Sequence, residues 1–359
     1  LPLSPPAAQP HLAWRTTDRL AIGAPQINGT VVTWSAHTVG GRDARTGART
    51  WSYTRTDRTL CTAAQSTNTT VAVYELHGNC DQVSAFDSDT GRRRWTRTLD
   101  KDGRPIDGTP RFQMLSYTLL ISSGTTIYAI DPVTGYDRWT YYRYGCHLGG
   151  AVLGSAGALI SQTCGSAVRC GGVKYCAGGP QLLLRDGSAG NADDGDNKDR
   201  ITWLRRGALG TPVSADDVLA VLAPDRRSLQ LLAAKNGAAQ QAIDLGTAGG
   251  TGTTATAVGS TELVWRSGTT YAIDATGSRP AWTARTSAPP TAVSSGGAVP
   301  TGLAGSRITA AQAGDVVALD PDSGRVSARY AVAAPDGAIA YPMGSGFLVG
   351  SAAGAAFYR

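Results

Sequence analysis

TIYAIDPVTGYDRWTY, residues Thr126 to Tyr141, sets the frame in which the rest of the chain is read. A β-branched and aromatic run ends at Asp131, a turn closes on Gly135, and Trp139 follows. An Asp that opens a turn accepts hydrogen bonds from the amides just after it. A Gly four positions on takes the left-handed conformation that a bulged hairpin needs. A Trp on the outgoing strand is large enough to wedge between stacked sheets. The stretch reads as one β-hairpin with a packing ring attached.

The same phrase returns as RDARTGARTW (Arg42 to Trp51), AFDSDTGRRRW (Ala85 to Trp95), AIDATGSRPAW (Ala272 to Trp282) and ALDPDSGR (Ala318 to Arg325). LRDGSAG (Leu184 to Gly190) and LAAKNG (Leu232 to Gly237) are weaker copies. The turn glycines fall at 47, 91, 135, 190, 237, 277 and 324, in steps of 40 to 55 residues. That period, with about four strands per unit, predicts a β-propeller.

The unit resembles the repeat of the quinoprotein-like, or PQQ-like, propeller family, with apolar-Tyr-Ala-apolar-Asp-x-x-Thr-Gly-x-x-x-Trp recurring in register over nearly the whole chain. The family takes its name from enzymes that bind pyrroloquinoline quinone (PQQ). Many members are non-catalytic scaffolds, an outer-membrane assembly lipoprotein of similar size among them. The resemblance implies that a quinone dehydrogenase would carry adjacent cysteines, carboxylates and an Asn around calcium, and an Asp base. This chain has no Cys-Cys pair. Its repeated aspartates fit turn positions, so the expectation is no cofactor, with PQQ and calcium as the alternative.

The ends of the chain predict how the ring closes. GFLVGSAAGAAFYR at the C-terminus matches the second and third strands of a repeat and stops before the turn, while LAWR (Leu12 to Arg15) is a lone strand with no turn before it. The N-terminal strand can supply the missing outer strand and remove a free sheet edge. Seven turns plus this composite unit make an all-β, eight-bladed propeller of four-stranded antiparallel blades. It spans 11–359 as a single domain after a Pro-rich tether at 1–10. Blade four carries two insertions, at about 164–179 and 187–199. Blade five has Ala233 and Gln241 in place of the Asp and Trp, and blade seven has Ala328 in place of the Trp. Such losses are tolerated because a blade needs only to bury its faces on two neighbours.

The net charge of +6 comes from arginine, since only Lys101, Lys174, Lys198 and Lys235 are lysines among 33 basic residues. The arginines are scattered over many repeats, which argues against nucleic acid as partner. No apolar run of about 18 residues or more occurs, and the LPLSPPAAQP start reads as an extended tether. The reading is an extracytoplasmic protein with a membrane tether upstream of Leu1. Its partners would be envelope or membrane proteins, with a lipid or a glycan as the alternative.

Six cysteines fit an oxidising compartment. Cys61 and Cys80 are separated by about the same interval as Cys146 and Cys164, at similar places two repeats apart. Repeat register therefore suggests bridges Cys61–Cys80 and Cys146–Cys164, each joining neighbouring strands or their loops, with Cys170–Cys176 closing a short loop. Counting alone leaves 15 pairings open. A zinc site at Cys164, Cys170 and Cys176 is the alternative, on wide spacing.

The remaining candidates are few. The loop Asn191 to Asp199 concentrates carboxylates at Asp193, Asp194 and Asp196. It reads as a solvated loop tip, or as a calcium or partner-binding loop, without the EF-hand spacing. Arg92, Arg93 and Arg94 read as a solvated rim or an acidic-partner patch. The histidines His11, His37, His77 and His147 do not cluster in sequence. Inner strands are expected after Gly23-Ala24-Pro25, Gly108-Thr109-Pro110 and Gly210-Thr211-Pro212. Gln26 and Arg111 follow two of these openings, and Tyr341 and Met343 hold a similar stretch of the last blade. These four either face a ligand or partner at the channel mouth or plug a narrow channel.

Overall fold

The computed structural model describes residues 5–23, 29–66, 68–101, 104–105, 110–115, 117–165, 178–187, 200–207, 210–246, 252–293, 307–343 and 346–359. The chain is an all-β, eight-bladed propeller, and no α-helix occurs among the described residues. Blade one comprises Arg19–Leu20, Thr30–Trp34, Thr38–Asp43 and Arg49–Thr54; blade two, Leu60–Gln65, Thr69–Leu76, Asn79–Asp87 and Arg93–Thr98. Blade three comprises Arg111–Met114, Leu119–Ser122, Thr126–Ile130 and Asp137–Tyr142; blade four, Cys146–Gly154, Gly157–Cys164, Gly179–Arg185 and Ile201–Arg206. Blade five runs from Thr211–Ala215 to Ala239–Asp244, blade six from Thr253–Val258 to Trp282–Arg285, and blade seven from Thr291–Val293 to Val326–Ala331.

Blade eight closes as the termini predict. Ile339–Met343, Gly346–Ser351 and Gly354–Tyr358 are completed by the N-terminal strand Leu12–Thr16. The backbones of His11 and Arg359 exchange two hydrogen bonds, of 2.7 and 2.9 Å. Inside the stretch expected to be tether, Ala7–Ala8 pair in parallel with Arg329 and Tyr330, adding a fifth strand to blade seven. The chain forms two compact units, Leu1–Ala72 with Phe86–Arg93 and Gly249–Arg359, and Val73–Ala85 with Arg94–Ala248.

The repeated phrase works in the structure at three points. The carboxylate Oδ1 of Asp131 accepts from the amides of Val133 and Thr134, at 2.8 and 3.1 Å. Asp43, Asp87 and Asp320 do the same in their own turns and add the hydroxyl of Thr46, Thr90 or Ser323. The Asp carbonyl then accepts the amide of the Gly four residues on, as in Asp131 and Gly135 at 2.8 Å. Finally, in five blades the Trp of the outer strand reaches the turn of the next blade. The indole N–H donates to a turn carbonyl in the pairs Trp14–Ala44, Trp51–Ser88, Trp95–Pro132, Trp203–Ala234 and Trp282–Pro321.

The turn glycine is the floor on which that ring rests. Gly135 has φ +79° and Gly91 has φ +70°. A Cβ on either would come within 2.6 Å of the ring of Trp95 or Trp51. Both conformation and space therefore demand Gly. The blades stack through these rings and through buried aliphatic clusters. Trp203 packs with Leu159, Leu182 and Val221, and Trp282 with Leu263, Ile308 and Val317.

The lost tryptophans follow the same geometry. Blade seven has Ala328 at the Trp position, and blade eight, built from both chain ends, has no hairpin turn to receive a ring. Blade five has Gln241, and the turn after it in sequence ends in Gly277, which has no positive φ. Trp139 is the intermediate case. Its ring is buried and covered by the Arg185 guanidinium at 4.2 Å. Its N–H has no partner among the described residues, and the turn that would receive it runs into the insertion at 187–199.

Cys146 and Cys164 stand directly opposite each other on neighbouring strands of blade four and form a disulfide. Cys61 and Cys80 are each disulfide-bonded as well. They lie on the first and third strands of blade two, with Thr69–Leu76 between them. Cys170 and Cys176, and with them the proposed third bridge, lie outside the described residues; the zinc alternative fails at Cys164, whose sulfur is bonded to that of Cys146 and is not a thiolate ligand.

Candidate functional site

The closure of the ring builds a groove. Blade one begins with an inner strand of only two residues, Arg19–Leu20, paired to Trp34 and Thr33. It packs against the second and third strands of blade eight, Gly346–Ser351 and Gly354–Tyr358, and the inner strand of that blade, Ile339–Met343, contributes Ile339 and Tyr341 to the same space. The space is about 310 Å³ and is lined by Leu20, Ile22, Trp34, Ile339, Tyr341 and Gly350, with the exposed residues Arg19 and Ala352 at its edge. Small residues shape the blade-eight wall, where a side chain on Gly350 would collide with Leu20.

Trp34, Arg19 and Tyr341 are held by specific contacts. The indole N–H of Trp34 donates to the Leu20 carbonyl at 3.1 Å, which sets the ring along the groove wall. The guanidinium of Arg19 lies over that ring, 5.3 Å from its centroid. Tyr341 packs on the cluster of Trp14, Leu348 and Phe357. Burial pushes its hydroxyl pKa up. Ile22 is 45% exposed, a large apolar side chain open to solvent at the groove.

The charge beside the groove is unbalanced. Asp18 accepts from Arg42 at 2.6 Å and from Arg49 at 2.8 Å. Burial opposes its ionisation, but these two guanidinium groups outweigh burial and hold the carboxyl below its usual range. Two guanidinium groups therefore share one carboxylate at this edge, and the third, of Arg19 next in the chain, is left without an ion pair to a described residue.

The structure distributes the sequence candidates unevenly. Tyr341 and Met343 lie two apart on one strand and pack against the same cluster, so both support the core, and Tyr341 also lines the groove. Arg111 is exposed at the first position of blade three's inner strand, opposite Ser122. Blade three and blade five do open their inner strands at the predicted Gly-x-Pro sites, but the described inner strand of blade one, Arg19–Leu20, comes ahead of Gly23. The two residues between Thr16 and Arg19 carry the chain straight from blade eight into blade one. Gln26, Asp193, Asp194 and Asp196 lie outside the described residues. Arg19 and Trp34 were not singled out from the sequence. The available signal was a Trp on a second strand, away from the repeat's own Trp position.

A quinone–calcium centre needs a set of carboxylates and amides converging on one point. Among the described residues no group of three or more His, Cys, Asp or Glu comes together in that way. The repeated aspartates are engaged by their own turns. These residues do not fit such a centre, and no chemical step is derived through one.

Comparison with known proteins agrees with this architecture. The family model described as outer membrane protein assembly factor BamB matches residues 7–131 and 126–345. No curated protein matches the chain in sequence. Among solved structures, BamB from Moraxella catarrhalis is 15% identical, with a TM-score of 0.57 over 98% of this chain and 97% of that one. A computationally designed protein is 11% identical, with a TM-score of 0.62 over 98% and 100%. A quinohemoprotein alcohol dehydrogenase from Pseudomonas putida is 12% identical, with a TM-score of 0.52 over 94% of this chain and 71% of the enzyme. At these identities the structural likeness speaks for the fold.

Proposed function

Because the chain belongs to the family of the outer membrane protein assembly factor BamB, we propose that it is an extracytoplasmic, non-catalytic propeller scaffold that binds partner proteins in cell-envelope assembly or export. The observation that carries this reading is the family match across most of the chain, residues 7–131 and 126–345. The groove between blades one and eight supports it, because an apolar space with an aromatic wall and an Arg rim is the composition of a protein-binding hot spot. The disulfides support an oxidising compartment. No helix among the described residues is long and apolar enough to cross a membrane.

A second reading is a lipid- or glycan-sensing ectodomain, and the apolar lining of the groove favours the lipid half of it. Capture of the full-length, tethered protein from crosslinked membranes, with disulfides intact, separates the two. A reproducible complex of envelope proteins supports the scaffold. Lipid without protein partners replaces it with the sensing reading, and an empty capture removes the scaffold.

A further inference from the structure

We propose that the groove between blades one and eight docks a short peptide segment of a partner protein, one that pairs an apolar anchor residue with a nearby carboxylate. The proposal deepens the scaffold reading and rests on it.

The walls select the anchor. Leu20, Ile22 and Ile339 are aliphatic, and Trp34 presents a ring held by its bond to the Leu20 carbonyl. Apolar surface of this kind gains most by covering another apolar side chain. Exposed Ile22 gives the anchor an open edge at which to enter.

The rim selects the charge. Arg19 is stacked over Trp34 and makes no ion pair with a described residue, since its neighbour Asp18 is already shared by Arg42 and Arg49. A carboxylate would meet a guanidinium that is preorganised by the ring beneath it, and the excess positive charge around it would speed encounter.

Size favours a peptide over a membrane lipid. Sites for small molecules run from about 300 to 1,000 Å³. A space of about 310 Å³ is at the lower end, with room for one large or two small apolar side chains rather than a pair of acyl chains.

The test uses fluorescein-labelled ten-residue peptide pools with a fixed Leu or Phe followed by Asp or Glu, matched pools with Asn or Gln, and phosphatidylglycerol vesicles. Two variants probe the site on the intact chain. Arg19→Gln removes the charge, and Ala352→Trp fills the mouth. Both positions are exposed, so a urea midpoint equal to wild type verifies folding. Saturable binding of the acidic pool is expected. It should weaken about tenfold with Arg19→Gln or with the amide pool, and vanish with Ala352→Trp. Equal binding of acidic and amide pools, binding unchanged by Ala352→Trp, or saturable vesicle binding without peptide binding overturns the proposal. Membrane capture separates it from the scaffold reading. A complex captured by wild type and lost with Ala352→Trp supports both, and one captured equally by the two proteins removes the groove while the scaffold stands.

Discussion

The indole N–H of Trp51 donates to the carbonyl of Ser88 at 2.7 Å, and the same ring lies against Gly91. Two residues 37 apart are thereby joined by the two ends of one repeated phrase: the outer strand of one blade and the hairpin turn of the next. Five blades use this joint, which makes it the unit of stacking in the molecule. Substitution at either side should separate its parts. Trp51→Phe keeps the packing on Phe86 but leaves the Ser88 carbonyl without its donor, at a cost of about 1–3 kcal/mol. Trp51→Ala should cost about 3–5 kcal/mol. Gly91→Ala should cost more than about 1 kcal/mol, because Ala is strained at positive φ and meets the ring. Urea unfolding would read all three, and an unchanged midpoint for Gly91→Ala would show that the ring does not rest on the turn.

Blade four depends on a second kind of joint. Cys146 and Cys164 close a sequence separation of 18 residues, and the amide of Gly165 then donates to the Gly145 carbonyl at 2.9 Å. The disulfide pins the two strands where the chain departs into the insertion at 164–179. Replacing both cysteines by Ala should lower stability by about 3 kcal/mol through the freedom returned to the unfolded chain. The comparison is of urea midpoints without reductant, so that Cys61 and Cys80 stay oxidised in both proteins. A double variant as stable as wild type would mean that the strand pairing alone holds this edge.

Stability should also fall in acid, in a window set by the turn aspartates. The Thr46 hydroxyl, then the Thr46 amide, lowers the pKa of Asp43 below its ordinary value of 3.8. Ser323 does the same for Asp320, hydroxyl first. A lowered carboxyl binds its proton less readily folded than unfolded. Its contribution is complete above the ordinary value and is lost as pH falls through the folded one. Urea midpoints should therefore vary little on this account from pH 7 to 5 and decline below about pH 4. With Asp43→Asn and Asp320→Asn combined, the acid decline should be shallower, and an identical slope would refute the assignment.

The turn phrase was legible because each of its residues answers a local demand. Asp131 caps its own turn, Gly135 supplies a positive φ, and both requirements are written within five residues. The closure was legible for the same reason, since an unpaired strand at one end and a truncated repeat at the other complement each other. The bond from the indole to the following turn lay beyond local reading, although its spacing recurs in the chain. The groove was harder still. Arg19, Trp34 and Tyr341 meet only because strands some 300 residues apart share the closing joint, and only Tyr341 was singled out from position in its repeat. The parallel pairing of Ala7–Ala8 gives no pattern in two alanines, so a Pro-rich stretch reads simply as tether.

The closing strand gives a graded test at the N-terminus. Removing residues 1–6 leaves every pairing described above intact, and the melting temperature should stay within about 1 °C of wild type. Removing residues 1–9 takes away only the two-residue strand on blade seven, and a small decrease is expected. Removing residues 1–16 takes away Leu12–Thr16, and with it the Trp14 ring on Phe357, the indole bond to Ala44 at 2.8 Å and the pairing with Arg359. The edge of Gly354–Tyr358 is then unpaired, which favours aggregation. Trp14→Ala isolates the ring from the strand and should lower the melting temperature by roughly 5–15 °C. The order of effect is the content of the prediction, with the largest step between removal of 1–9 and 1–16. If the largest step fell instead between 1–6 and 1–9, the two alanines on blade seven would hold the ring and Leu12–Thr16 would be secondary.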